Sequence, residues 1–474
     1  MSDSPLDVTS QGASVPFWQV VVAAIRGEQR DYTTETLNRA VVLLAIPMVL
    51  EMAMESIFAL ADVFWVSHLG SDAVAVVGIT ESIMCIVYAV AVGLSMAGTA
   101  TVARRIGEKD PDRAATSAVQ LILLGLCVST LIGLFGALFA RDILRFMGGN
   151  DHVVEIGTNF TRIMLGGNAT AILIFAINAI FRGAGDAAIA MRTLWFANAI
   201  NIVLGPCLVF GLGPFPALGV TGAAIATNLG RGCGVLFQLY QLTARTSRVR
   251  VGVRHLHFEL TPTVQMLRLA TNATVQNLVN TASWIGLVRI LSQSGSAALA
   301  GYTIAIRVVI FAILPAWGLS NAGATLVGQN LGAAKPDRAE SAVWIAVRYN
   351  VFFLSTIGLL FVLFAGPITR FFTSDSQTLA YGARALWIIG LGFPFYAAGM
   401  CLTSAFNGAG DTWTPTWLNL GCFWLFEIPL AWVLADRFSV GATGVFIAIP
   451  IAFSSLAVAS GFVFRRGRWK LQRV

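Results

Sequence analysis

The chain has 474 residues, 56% of them hydrophobic and only 12% charged, with a mean hydropathy of +0.75. A soluble protein carries roughly a quarter charged residues, so a soluble globular domain is excluded and a polytopic α-helical membrane protein is implied. The formal net charge of +7 does not indicate nucleic acid, because the basic residues gather in alternate loops.

In chain order, residues 1–37 form a lead-in that lacks the apolar core and small-residue cleavage site of a secretory leader. Within it, "PFWQVVVAAIRGEQR" (16–30) is too short to span. It suits a helix lying in the membrane interface, or a disordered lead-in. A crossing helix needs about 20 apolar residues, and breakers and charges then divide the chain into twelve spans. They run 38–66, 73–101, 114–140, 156–181, 187–211, 219–243, 264–291, 297–325, 340–366, 380–406, 412–435 and 440–464.

Basic residues cluster before span 1 (Arg26, Arg30, Arg39), after span 2 (Arg104, Arg105, Lys109, Arg113) and after span 6 (Arg245, Arg248, Arg250, Arg254). They cluster again after span 8 (Lys335, Arg338) and along the C-terminal tail (Arg465, Arg466, Arg468, Lys470, Arg473). Loops of the other parity hold only Arg141 and Arg145, Arg370, and Arg437. By the positive-inside rule both termini are expected in the cytoplasm.

Soluble-site chemistry is missing. Gly-Lys occurs nowhere, so there is no Walker A loop. There is no GxSxG or HExxH either. The six cysteines fall inside the predicted spans without a CxxC and read as small core hydrophobes. His255 and His257 make only a weak metal signal among arginines. No cofactor, metal or enzymatic activity is expected.

A repeat organises the chain. "GTATVARRIGEKDPDRA" (98–114) returns as "GATLVGQNLGAAKPDRA" (323–339), with seven of seventeen positions identical at an offset of 225. The same offset relates "FRGAGDAA" (181–188) to "FNGAGDTW" (406–413), and "GVTGAAIA" (219–226) matches "GATGVFIA" (441–448) at 222. The expected organisation is an N-terminal segment (1–37), a six-helix lobe (38–245), a basic linker (246–262), a second six-helix lobe (263–466) and a basic tail (467–474). Six spans per half means that both halves enter from the same side. Such parallel repeats build transporters that alternate access around a mid-membrane site.

Charges inside spans are costly and so mark function. Glu51, Glu55 and Asp62 lie at i, i+4 and i+11 of span 1, within about 40° of one helix face at 100° per residue. Clustered carboxylates in a low dielectric raise one another's pKa, so this face is a candidate proton site. Glu51 and Glu55 could instead be solvated or salt-bridged. Glu427 in span 11 is a candidate for cationic substrate or a second proton, or a partner for Arg289 or Arg307. Glu81 could likewise partner an arginine. The "RGAGD" and "NGAGD" loops read as tight turns, with Asp186 and Asp411 capping the next helix.

Two six-helix halves, "IPMVLEMAMESIFALADVFWVSHLGSDAVAVVG" in span 1 and the paired "RGAGD" and "NGAGD" loops resemble the multidrug and toxic compound extrusion (MATE) transporters from about residue 38 onward. The resemblance implies a V of two lobes and export of organic, often cationic, compounds in exchange for H⁺ or Na⁺. It puts the coupling-ion site in the first lobe, on Asp62 with Asn201 of "NIVLGP" and Thr227 of "GAAIAT". The second aspartate of some relatives is Gly205 here. A Na⁺ cage of that design is therefore doubtful, and H⁺ is the expected coupling ion.

The expected protein is thus a monomeric multidrug antiporter of the plasma membrane, with small organic substrates and no nucleic-acid partner. The alternatives are a flippase for a lipid-linked precursor and a membrane-embedded enzyme.

Overall fold

The computed structural model describes residues 16–28, 30–244, 247–438 and 440–472. Side chains are described for these except Phe17, residues 60–63, Ser67 and Ser71. The described chain is helical: α1 (Phe17–Arg26), α2 (Leu37–Ser67), α3 (Ser71–Gly107), α4 (Pro111–Phe146), α5 (Asp151–Gly166), α6 (Asn168–Ala184), α7 (Ala187–Phe210) and α8 (Val220–Thr243). The second half continues with α9 (Leu260–Leu291), α10 (Ser296–Gly332), α11 (Pro336–Arg370), α12 (Ser376–Ala409), α13 (Trp413–Arg437) and α14 (Ala442–Arg465).

Ten of these helical stretches are long and apolar enough to cross a membrane, with α5 and α6 counting as one across Gly167. The other two expected spans are α8 and α9. They are long enough to cross but carry Asn228, Arg231 and Gln238, and Gln276, Asn277 and Asn280 respectively. Polar side chains on a spanning helix are tolerated where they face the bundle interior.

The repeat is written into the backbone. Lys109 and Ala334, 225 residues apart, are the non-glycine residues with positive φ among those described (61° and 56°). Gly185 and Gly410, also 225 apart, end α6 and α12 in the left-handed region, at φ 87° and 88°. Each lets the "GAGD" turn close without the Cβ clash that other residues would meet there.

The lobes cross by the same symmetry: α2 packs on α10, α9 packs on α3, and α3 packs on α10. Gly107 of α3 lies against the Gln329 carbonyl, while Gly332 of α10 lies against the Arg104 carbonyl. Both contacts leave no room for a side chain, and each is the other shifted by 225.

A helix does form within 16–30, as α1. It buries Val20, Ala23 and Ala24, leaves Trp18 exposed, and is held by Arg192, which donates to the Ile25 and Arg26 carbonyls (both 2.9 Å). Residues 247–259 fold back on α4, where Gln120 donates to the His257 carbonyl (2.7 Å) and Arg254 and His255 meet Asp112. The cysteines are divided: Cys401 and Cys422 are buried as expected, whereas Cys85 and Cys127 lie on the outer surface. On a bundle wrapped in lipid, an apolar span buries only one side in protein.

At the end of the bundle carrying the basic loops, a short strap closes the lobes together. Tyr32 is buried, its hydroxyl donates to the Gly185 carbonyl (3.3 Å), and Arg248 lies over its ring (5.4 Å). From the second lobe, Lys335 donates to the Thr33 carbonyl (2.9 Å) and Arg338 to those of Tyr32 (3.2 Å) and Glu35. Gln329 reaches the Gly183 carbonyl (2.8 Å), and Arg104 reaches that of Gln472 (2.8 Å).

Candidate functional site

The first lobe (α2–α8) is built around two buried arginines. Glu51 of α2 is 1% exposed, and its Oε1 accepts from Arg182 Nη1 (2.7 Å) and from Asn178 Nδ2 (3.0 Å), both of α6. Arg182 also donates to Ser95 of α3 (2.6 Å), and Gln238 of α8 donates to Asn178 Oδ1 (2.6 Å). Four helices thus meet in one hydrogen-bonded core. One turn along α2, Glu55 Oε2 accepts from Asn198 of α7 (3.3 Å), and Oε1 lies 3.9 Å from Arg231 Nη2 of α8.

Glu51 and Glu55 of α2 therefore face into the lobe. Each of the two glutamates faces a guanidinium on a neighbouring helix. Asp62 falls in α2, and its side chain lies outside the described residues. Asn201 and Thr227 come together as the resemblance implies, with Asn201 Nδ2 donating to Thr227 Oγ1 (2.8 Å) in a buried pair. Gly205 offers no carboxylate. A Cβ there would lie 3.5 Å from Cδ1 of Trp65.

Arg182 and Arg231 were not among the sequence candidates. The signal for them was present: an arginine at the edge of span 4 and another within span 6, where a cation must find a partner.

The second lobe is built differently. A cavity of about 560 Å³ opens among α9, α10, α12 and α13, with Met96 of α3 at its edge. Its wall carries the amides of Gln276, Asn277, Asn280, Asn407 and Asn419 and the rings of Trp284, Tyr302, Trp317, Tyr396 and Phe423. Gln276 Oε1, Asn407 Oδ1 and the Tyr302 hydroxyl are buried there without a hydrogen-bond partner among the described residues. Buried polar atoms are nearly always satisfied in folded proteins, so this wall is suited to a polar solute.

Glu427 of α13 is 3% exposed and acts electrostatically on the hydroxyls of Tyr302 and Tyr396. No ion pair or hydrogen bond engages it among the described residues. Neither arginine considered for it, Arg289 or Arg307, pairs with it among the described residues, and Arg307 acts on Glu81 of α3. Around Glu427 the helix is unwound to π spacing over Leu420–Glu427 and again over Val433–Arg437. Such widened turns occur mostly at functional positions.

The GAGD turns form as expected, but their aspartates differ. Asp411 caps α13, accepting from the Thr414 backbone N–H (3.2 Å) and hydroxyl (2.6 Å). Asp186 does not cap α7. It pairs with Arg248 (3.8 Å), because the strap at Tyr32 brings that guanidinium over the turn.

The MatE family model matches the chain twice, over residues 47–207 and 273–433, one match per lobe. The chain belongs to the MatE family. The MATE match begins at Pro47 of α2 in the first lobe and inside α9 in the second, 226 residues on.

A probable multidrug resistance protein NorM of Thermotoga maritima is 26% identical over 439 residues, covering 92% of this chain and 94% of that protein. An FAD transporter of Shewanella oneidensis is 22% identical, covering 91% and 95%. Among solved structures, a crystal structure of MATE in complex with MaL6 superposes with a TM-score of 0.87 at 26% identity, covering 94% of this chain and 99% of that one. The MATE chain is thus a multi-pass membrane transporter of the multidrug efflux family and not an enzyme, and its substrates are small molecules.

Proposed function

We propose that this MATE protein is a proton-coupled antiporter that exports organic cations across the plasma membrane. Asp62 would be the coupling carboxylate, and the second-lobe cavity with Glu427 the substrate site. The observation that carries this reading is the charge inventory of the first lobe. Glu51 faces Arg182 and Glu55 faces Arg231, and we assign the coupling proton to the remaining acid of α2, Asp62. One carboxylate can carry a proton. A Na⁺ cage needs several convergent oxygens, and here Asn201 and Thr227 bond each other while Gly205 supplies none.

In the second lobe, aromatic faces and one buried acid suit a planar organic cation. The described wall includes no Lys or Arg, so a diphosphate-bearing solute has no counter-charge there. Desolvation favours the protonated acid, and opening to water on one side releases the proton.

With both termini in the cytoplasm, the strap closes the inner face, and proton and substrate meet the protein from opposite sides in turn. The transporter acts as a monomer, with no nucleic-acid partner.

In proteoliposomes, an imposed pH gradient without Na⁺ should drive uptake of a fluorescent cationic dye, and Asp62→Asn should abolish it while leaving dye binding intact. Transport driven only by a Na⁺ gradient would overturn the coupling assignment.

A further inference from the structure

Arg231 of α8 sits in a built enclosure. Its side chain is 8% exposed, Nη1 donates to the Tyr88 hydroxyl (3.0 Å), and Nη2 lies 3.9 Å from Glu55 Oε1. Its guanidinium carbon stands 5.6 Å from the Phe58 ring centre and 5.4 Å from that of Tyr88. A carboxylate, a hydroxyl and two aromatic faces are the groups that hold a desolvated cation. Here the cation is part of the chain. The position related to Arg231 by the 222-residue offset of this part of the repeat is Phe453, buried in the second-lobe core. The positive charge was therefore placed in one lobe only.

We infer that Arg231 is a resident cation of the first lobe, seated against Glu55 in the place that a diffusible cation would take, so that Glu55 admits neither a metal ion nor a cationic solute. Two cations cannot share one carboxylate in a low-dielectric site without strong mutual repulsion. The guanidinium is tethered one helix away, so it meets Glu55 at a high effective concentration that a free ion must outcompete. Its planar fork keeps its charge at all working pH values, so the seat stays filled. This deepens the proton-coupled reading above, but it makes a separate claim about binding, and the test does not use transport.

The test is thermal unfolding of the purified, detergent-solubilised protein in NaCl and in KCl of equal ionic strength, with and without methylguanidinium. A ligand that binds only the folded state raises Tm in proportion to its occupancy. In a Glu427→Gln background, which silences the proposed second-lobe cation site, the protein with Arg231 should unfold at the same temperature in all four conditions. Arg231→Gln in the same background should unfold lower and then gain a concentration-dependent rise with methylguanidinium or Na⁺, and adding Glu55→Gln should remove the rise.

A purely structural arginine would lower Tm without creating a cation response. The inference is overturned if the Glu427→Gln protein with Arg231 is already stabilised by Na⁺ over K⁺, or if Arg231→Gln responds to neither cation. A response that survives Glu55→Gln overturns it too. Should Arg231→Gln fail to purify, Arg231→Lys decides: indifference to Na⁺ supports the resident cation, and a Na⁺ response sinks it.

Discussion

In the first lobe, positions 51, 55, 178 and 182 hold Glu, Glu, Asn and Arg, closed into a buried network with Arg231 beside it. In the second lobe the same positions, 225 residues on, hold Gln276, Asn280, Thr403 and Asn407, and all four line the cavity. The backbone is repeated down to its left-handed residues, yet every one of these charges is replaced by a neutral group.

The difference teaches how one duplicated bundle divides labour. Ion pairs tie helices together and leave little room for a solute, so the first lobe is suited to hold and release a single charge. Neutral amides and aromatic rings bind many solutes weakly and reversibly, and a transporter needs a site that also lets go. Glu427, the buried acid of the second lobe, has no repeat partner either, since position 202 is Ile.

The largest expected effect lies on the charged side of this comparison. Removing one member of a buried ion pair leaves an uncompensated charge and costs about 3–5 kcal/mol. Glu51→Gln or Arg182→Met should therefore lower the unfolding temperature steeply. The double change Glu51→Gln with Arg182→Met should recover much of the loss, because no orphan charge remains. The corresponding change Asn407→Ala in the second lobe breaks no ion pair and leaves no orphan charge, and so should cost only about 1 kcal/mol. Equal losses in both lobes, read by thermal unfolding, would show that the charge difference is not what separates them.

Where the lobes are alike, the effects should be alike. Gly107→Ala and Gly332→Ala each drive a methyl into a carbonyl of the partner helix, that of Gln329 or of Arg104. Overpacking of that kind costs about 1–3 kcal/mol. Both should weaken the crossing of α3 and α10 at the strap end, raising the reactivity of single cysteines placed at position 329 or 104 by a similar factor. A markedly one-sided result would break the two-fold relation inferred for this crossing.

The cavity offers a smaller and more selective effect. Glu427→Gln keeps the shape and removes the charge, so affinity for a monocationic dye should fall about tenfold, or about 1.4 kcal/mol, while a neutral analogue of the same ring binds as before. Equilibrium binding by fluorescence checks both arms. An equal loss for the neutral analogue would make Glu427 a packing residue.

Much of this architecture is legible in the sequence. Spans, repeat and turns follow from local rules: apolar length, glycines at positive φ, and breakers. The inward face of α2 follows from helical spacing alone. Partner choice does not. Glu51 and Arg182 are 131 residues apart, and whether an acid on α2 meets another acid or an arginine on α6 depends on how the helices are rotated and packed. Which charges an α2 acid meets on other helices cannot be read from that helix alone. The cavity was equally hidden, since its wall gathers side chains from six helices, none forming a motif. Asp186 shows the same limit on a small scale. Its motif matches that of Asp411, but a distant arginine changes its role.

That last pair yields the gentlest prediction, a dependence on pH in one lobe and none of that origin in the other. Burial beneath the strap pushes the Asp186 carboxyl up from its ordinary 3.8 to about 6, against the pull of Arg248. A carboxylate whose folded pKa is raised binds its proton more tightly when the strap is closed. Its contribution is therefore fully present below about pH 4 and is lost as pH rises through 6. Closure at the strap end should loosen between about pH 4 and 6, seen as faster labelling of a single cysteine at position 33. Asp186→Asn, neutral throughout, should flatten that dependence and hold the strap closed at neutral pH. Asp411 has a different task, capping α13 through Thr414. Asp411→Ala should cost about 1 kcal/mol of stability and leave the labelling profile as it was. If Asp186→Asn keeps the full pH dependence, some other group carries it and the two turns are more alike than Arg248 implies.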